Sequence, residues 1–229
     1  MRKLGRIALP VLGTSALLFS TATAAMAAVT IYDDNTGTAY SGNVRANNIG
    51  GNVTLSGSSS LGFMLTTCTN GQLDASVLSN GTGGSLTGVS LTSCTNNMGG
   101  TTTVTALGLP YSGATVNYGP VAGGRDGTIN IAAPNPAVNV KAVLTLPSVG
   151  IPSLTCNYGL TTATPLTISL YNPANANKPV PANPNSQGTL TGQSLQRLGT
   201  DARCPASVAA NGKFQITAQP SGHRLRIGP

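Results

Sequence analysis

The 229-residue chain has no tryptophan and no glutamate, a single histidine, and only 7% charged residues. An ordinary soluble domain carries about a quarter charged residues. Each shortage removes a class of chemistry. Without glutamate there is no bidentate twelfth ligand to close a helix-loop-helix calcium site and no His-Glu-x-x-His zinc motif. One histidine, His223, leaves a single candidate base for a Ser-His-Asp triad, and no Gly-x-Ser-x-Gly elbow accompanies it. A glycosidase needs a pair of carboxylates across the sugar. Only Asp33, Asp34, Asp74, Asp126 and Asp201 could supply them, with few aromatic rings for a sugar to stack on. No Gly-x-x-x-x-Gly-Lys phosphate loop occurs. The chain is read as non-enzymatic, with no catalytic, cofactor-binding or metal-ligating residue assigned.

The first 27 residues are read separately. Arg2, Lys3 and Arg6 form a basic head, Ile7 to Ser20 an apolar run, and Ala25-Met26-Ala27 a small-residue cleavage site. These are the three parts of a secretory signal peptide. Fourteen apolar residues are too few for a bilayer that requires about 20. No Arg-Arg pair is present, so the general secretion route is expected. No cysteine follows the site, so no lipid anchor is expected. Loss of Arg2, Lys3 and Arg6 leaves nine basic residues against five acidic. These bases are scattered, and without a basic stripe set with stacking aromatics nucleic acid is not an expected partner.

What is plentiful is turn chemistry: 29 Gly and 15 Pro. Short β-prone runs recur between turn signals. They include Val29 to Tyr32, Val53 to Leu55, Ser60 to Cys68, Leu86 to Leu91, Thr101 to Leu107, Thr115 to Tyr118, Thr128 to Ile131, Val138 to Leu146, Leu166 to Tyr171, Phe214 to Ala218 and Leu225 to Ile227. Several alternate apolar and polar residues, as half-buried strands do. Asn70-Gly71 and Asn80-Gly81 are strong hairpin-turn signals. Asp33-Asp34-Asn35-Thr36-Gly37 begins like a calcium loop but is read as an Asx turn. Asn172 to Gln187, rich in Pro and Asn, is read as a long exposed loop. The pattern predicts an all-β fold, a sandwich or barrel.

The two halves can be laid on each other. Ser60 to Gly71 matches Ser148 to Gly159 without a gap, aligning Cys68 with Cys156. GSLTGVSL at Gly84 to Leu91 matches GTLTGQSL at Gly188 to Leu195, with Cys94 and Cys204 following. Gly100 to Ala106 then matches Gly212 to Ala218, and Ser112 to Pro120 matches Ser221 to Pro229. Repetition in a fixed order marks a duplicated unit, so two units are predicted, 28–120 and 121–229, packed as one body or as two. Four cysteines in an exported chain imply two disulfides. A duplicated unit carries its own bridge, which selects Cys68–Cys94 and Cys156–Cys204. No Cys-x-x-Cys pair supports zinc.

The run Leu86 to Tyr118 resembles an uncharacterised group of small exported four-cysteine proteins of high-GC Gram-positive bacteria. The resemblance rests on Leu86-Thr87-Gly88, on Cys94, and on Val104-Thr105-Ala106-x-Gly108-Leu109-Pro110 followed by the aromatic Tyr111. The sequence departs at Ser93, which directly precedes Cys94 where the group has one residue between. The resemblance implies export and a β fold, with no activity attached. The expected role is an exported structural or interaction protein of the cell envelope or extracellular space, secreted or wall-associated, with cell-wall or surface components as partners. The alternative is a carrier of a small hydrophobic ligand in a barrel cavity. An Asp-dependent secreted hydrolase ranks last.

Overall fold

A computed structural model describes residues 28–229; the expected export segment and its cleavage site lie outside the described residues. Fourteen strands make up the described chain. In order they are β1 Thr30–Asp33, β2 Gly42–Asn48, β3 Val53–Ser59, β4 Gly62–Val77, β5 Gly84–Asn96, β6 Thr102–Leu107 and β7 Tyr111–Tyr118. The second half contributes β8 Gly127–Ile131, β9 Asn135–Leu146, β10 Ile151–Leu160, β11 Leu166–Tyr171, β12 Ser186–Leu198, β13 Ser207–Ala218 and β14 Leu225–Gly228. One 3₁₀ turn, Pro147–Val149, links β9 to β10. No helix among the described residues is long and apolar enough to cross a membrane.

All strand pairs are antiparallel, and eight strands close on themselves: β2–β4–β5–β7–β8–β11–β12–β13, with β13 returning to β2. The all-β expectation therefore resolves into a closed barrel with additional strands. Each half supplies four of its eight staves. The long strands β4, β5, β12 and β13 run on beyond the barrel. There β4 and β13 pair with β3, β12 pairs with β10, and β9 joins β10 to β6, so that these strands curve into a second, looser ring. That ring is drawn together between β5 and β6 by the single bridge Thr95–Thr101. The second ring ends in hairpin tips, here called the hairpin end. At the opposite end of the barrel β1 and β14 pair into a two-stranded ribbon.

Alternation accounts for the burial. In β9, Val138, Leu144 and Leu146 are buried, and in β10 Leu154, Cys156 and Tyr158 are buried, as successive side chains take opposite faces. All but Val138, which packs with Tyr111 and Leu160, join Met64 and Cys204 in the core of the hairpin end. A second cluster, with Ile31, Val77, Val116, Leu170 and Ile227, lies under the ribbon.

Two local expectations are corrected. Asn70-Gly71 is not a turn: β4 passes straight through it, with Gly71 opposite Leu91 on β5. This is where β4 exchanges one neighbour, β3, for another, β2. Asn48 at the end of β2 bridges the exchange, accepting from the Gly71 N–H at 2.7 Å and donating to the Thr69 carbonyl at 3.2 Å. Glycine is needed there for space, since a Cβ would lie 2.8 Å from Val53 Cγ2 and 3.2 Å from Leu91 Cδ2. Asn80-Gly81, by contrast, is a turn, with Gly81 at φ +75°. The Asn172 to Gln187 segment is not a loose exposed loop. Asn175 donates to Asp126 and to the Gly124 carbonyl, and Gln187, fully buried, both accepts from Val180 N–H and donates to its carbonyl. Its asparagines and Gln187 replace the ladder bonds that its prolines cannot make.

Candidate ligand cavity

An eight-stranded antiparallel barrel has an interior just wide enough to be filled by side chains or to hold one small ligand. Which of these happens depends on side-chain size. Here the inward positions of the barrel carry Val44 and Ala46 on β2, Ala75 and Val77 on β4, Ala114 and Val116 on β7, Ile129 and Ile131 on β8, and Ile168 and Leu170 on β11. These are aliphatic; of the aromatics only Phe214 on β13, Tyr171 on β11 and Tyr158 on β10 also line the space, among the described residues. The chain has three Phe in all, and Phe63 is spent on the surface, 55% exposed. The interior is consequently not filled, and a cavity of about 390 Å³ runs through it. That is within the ~300–1,000 Å³ range of small-molecule sites.

The cavity continues from the barrel into the second ring. Ile31, Leu225 and Ile227 line it at the ribbon end, and Met64, Leu144 and Tyr158 at the hairpin end. On β4 alone the lining runs from Met64 to Val77, along almost the whole strand. The only charged residue at its boundary, among the described residues, is Arg226. The Arg226 guanidinium is 40% exposed, stacks 4.0 Å from the centroid of the Tyr32 ring, and lies 3.5 Å from Asp34. Most polar side chains along the cavity are already satisfied. Thr66 and Thr102 share a hydrogen bond at 2.9 Å, Ser186 donates to the Leu225 carbonyl, and Asn172 both donates to and accepts from the Ile227 backbone.

The ribbon beside the cavity gathers much of the scarce charge. The Asp33 carboxylate accepts from Asn35 and Thr36 N–H groups, the Asx turn expected there, and meets His223 Nδ1 at 2.7 Å. The His223 hydrogen bond lowers the Asp33 pKa, outweighing the modest desolvation that opposes it. Asp34 faces both Arg224 and Arg226. This His–Asp contact is the orienting half of a triad; no hydroxyl is bonded to His223 Nε2 among the described residues.

The four cysteines pair as the duplication required: Cys68–Cys94 and Cys156–Cys204. The first joins directly opposed residues of β4 and β5. The second ties β10 to the segment between β12 and β13. Both are buried and neither bridge lines the cavity. Reading the sequence residue by residue missed the cavity wall. Its signal was present as apolar pairs two residues apart, such as Val44/Ala46 and Ile129/Ile131, but alternation alone does not say that such faces enclose a common space.

The fold and site define a class, a disulfide-linked antiparallel β-barrel with an apolar interior cavity. Compared with known proteins, the chain matches no family model, no curated protein and no solved structure.

Proposed function

We propose that this protein is an exported carrier of a small hydrophobic ligand, held in the barrel cavity. The observation that carries the reading is the 390 Å³ apolar space left by small inward side chains in a closed barrel. Covering this apolar wall with apolar atoms is favourable at about 25 cal/mol per Å² removed from water. The two disulfides suit an oxidising compartment. Export by the general route and secretion or wall association accompany this reading, as does the absence of an assigned catalytic step.

An envelope interaction role is the second reading. It rests on Phe63 and Val149, exposed at two hairpin tips that the Asn97–Met98 turn links, since Asn97 donates to the Phe63 carbonyl and Met98 accepts from Ser148. The cavity is the more specific feature, because single exposed apolar residues are common on any protein surface.

The test is titration of the folded, oxidised protein with the apolar fluorophore N-phenyl-1-naphthylamine. Saturable binding that Ala75→Phe and Val116→Phe abolish supports the carrier. Absence of saturable binding by the wild type removes that reading and leaves the envelope role.

A further inference from the structure

The two halves differ along one seam of the second ring. In the second half β12 and β13 stay zipped there, pairing Gln193 with Ala210 through to Gln196 with Ser207. The aligned stretch of the first half, Val89 to Thr92 on β5, has no partner on its β6 side among the described residues. β5 pairs with β7 only from Gly84 to Leu86, and meets β6 only at the Thr95–Thr101 bridge. Next to that bridge, Ser93 has a φ of +52°, outside the extended conformation of a strand. Both ends of the resulting slit are pinned. Asn96 donates to the Thr101 and Thr145 carbonyls, each at 3.0 Å, and the Tyr111 hydroxyl donates to the Leu107 carbonyl at 2.8 Å. The lips carry Val89 and Leu91 on β5 and Val104 on β6, which line the cavity, while Ser90, Thr92, Thr103 and Thr105 are exposed.

Resting on the carrier reading, we infer that this slit is the side portal through which the ligand enters and leaves the cavity. The two ends of the molecule are closed. At the ribbon end Ile31, Leu225 and Ile227 are buried, Ile31 N–H donates to the Ser79 carbonyl at 2.7 Å, and Asn172 holds both backbone groups of Ile227. Asp33, Asp34, His223, Arg224 and Arg226 gather there as well, and an apolar molecule passing them would strip water from charges. At the hairpin end Met64, Leu144, Leu146 and Leu154 pack into a buried core. The seam has neither obstacle. Residues 75–124, which include β5, β6 and β7, hold no charged side chain and no histidine. β6 is laddered on one side only, to β9, so it can bow away from β5 without tearing a sheet on both flanks. Proteins ordinarily guard an unpaired strand edge with charge or proline. Neither lip, Thr87 to Ser93 or Thr103 to Leu107, has either. Passage of an apolar ligand is a reason to leave both edges bare.

The experiment caps one lip at a time. All four native cysteines are in disulfides, so a new cysteine in the oxidised full chain is the only thiol. Ser90→Cys on β5, Thr105→Cys on β6 and Thr36→Cys beside the ribbon are each coupled to a polyethylene glycol maleimide. Stopped-flow mixing with N-phenyl-1-naphthylamine then gives association and dissociation rates. Capping at position 90 or 105 is expected to slow both rates about tenfold with an unchanged Kd, as for a passage that binding must first open. Capping at position 36 is expected to leave both rates at wild-type values. The unchanged Kd also shows that the capped proteins are folded. Slowing at position 36 that equals or exceeds that at the lips would overturn the portal and move the entrance to the ribbon. Wild-type rates in all three capped proteins would overturn it as well. A weaker Kd at the capped lips with unchanged association would make them part of the binding wall and not a passage, and would overturn it too. Failure of the uncapped wild type to bind the fluorophore would instead remove the carrier reading itself.

Discussion

The two halves of the chain build the same pattern of pairings with their continuity exchanged. In the first half β4 is one unbroken strand serving both the barrel and the second ring, while the opposite flank is broken into β6 and β7 at Gly108–Pro110. In the second half the counterpart of β4 is broken into β10 and β11 at Thr161–Pro165, and the opposite flank is the unbroken β13. β2 and β8 hold equivalent places, as do β3 and β9 and β5 and β12. Beside the strand that is continuous in both halves (β5 and β12), each half therefore has one flank that passes unbroken between the rings and one that is cut next to a proline, which cannot donate to a ladder. The lesson is that the shared architecture tolerates a break on either flank, provided that the neighbouring strand spans it.

The disulfides show the same contrast, and removing them is the largest expected perturbation. Cys156–Cys204 closes a 48-residue separation and Cys68–Cys94 a 26-residue one. On the chain-entropy account these contribute about 4.1 and about 3.5 kcal/mol. The first-half bridge joins strands that are already zipped on both sides of it, whereas the second-half bridge holds a strand to a loop. Cys156→Ala/Cys204→Ala is thus expected to lower the urea midpoint more than Cys68→Ala/Cys94→Ala. The reverse order would show that the unbroken β4 depends more on its staple.

The next effect concerns how β4 stays unbroken. Gly71→Val is expected to cost about 1–3 kcal/mol by overpacking against Val53 and Leu91. Gly159, its aligned counterpart, has a Cβ position 3.1 Å from Leu198 Cδ2 and 3.1 Å from the Val138 carbonyl, a contact partly with a flexible side chain. Gly159→Ala is therefore expected to cost less than Gly71→Val in the same denaturation assay. Asn48→Ala follows at about 1–2 kcal/mol, because it leaves the Gly71 N–H and the Thr69 carbonyl without their side-chain partner. Amide exchange at Gly71 should quicken in that variant; unchanged protection there would mean that β4 needs no support at the exchange of neighbours.

The smallest expected effect separates the ribbon from the barrel. Asp33 has its pKa lowered by His223, so its contribution is present above the ordinary carboxylate pKa of about 3.9 and is lost as pH falls through the depressed folded value. Acid should loosen β1–β14 before the barrel, seen as amide exchange at Tyr32 rising ahead of exchange at Val116. Asp33→Asn should remove that acid step. Simultaneous opening of ribbon and barrel would show that the two are one cooperative unit.

Much of the strand content was legible because it depends on local alternation: Leu166–Tyr171 matches β11 residue for residue. Strand length was less legible. Leu86 to Leu91 became the thirteen-residue β5, and Phe214 to Ala218 the twelve-residue β13, because long strands shared between rings gain partners at both ends. The later duplicated blocks show where alignment and topology part. Ser112 to Pro120 covers β7, a barrel stave, apart from Tyr111, whereas Ser221 to Pro229 contains β14, which pairs with β1 in the ribbon. Turn signals were ambiguous for a physical reason: an Asn-Gly pair suits a turn, but glycine also suits a strand crowded by Val53 and Leu91.

By itself the sequence determined an all-β chain and its two disulfides, since alternation, turn residues and a repeated cysteine spacing are properties of neighbours along the chain. Only the tertiary structure decided that β13 returns to β2. That closure turns separate half-apolar strands into the wall of one cavity. Closure is a matter of register between residues more than 160 positions apart, where no local preference acts and the burial of both sheet faces selects the pairing.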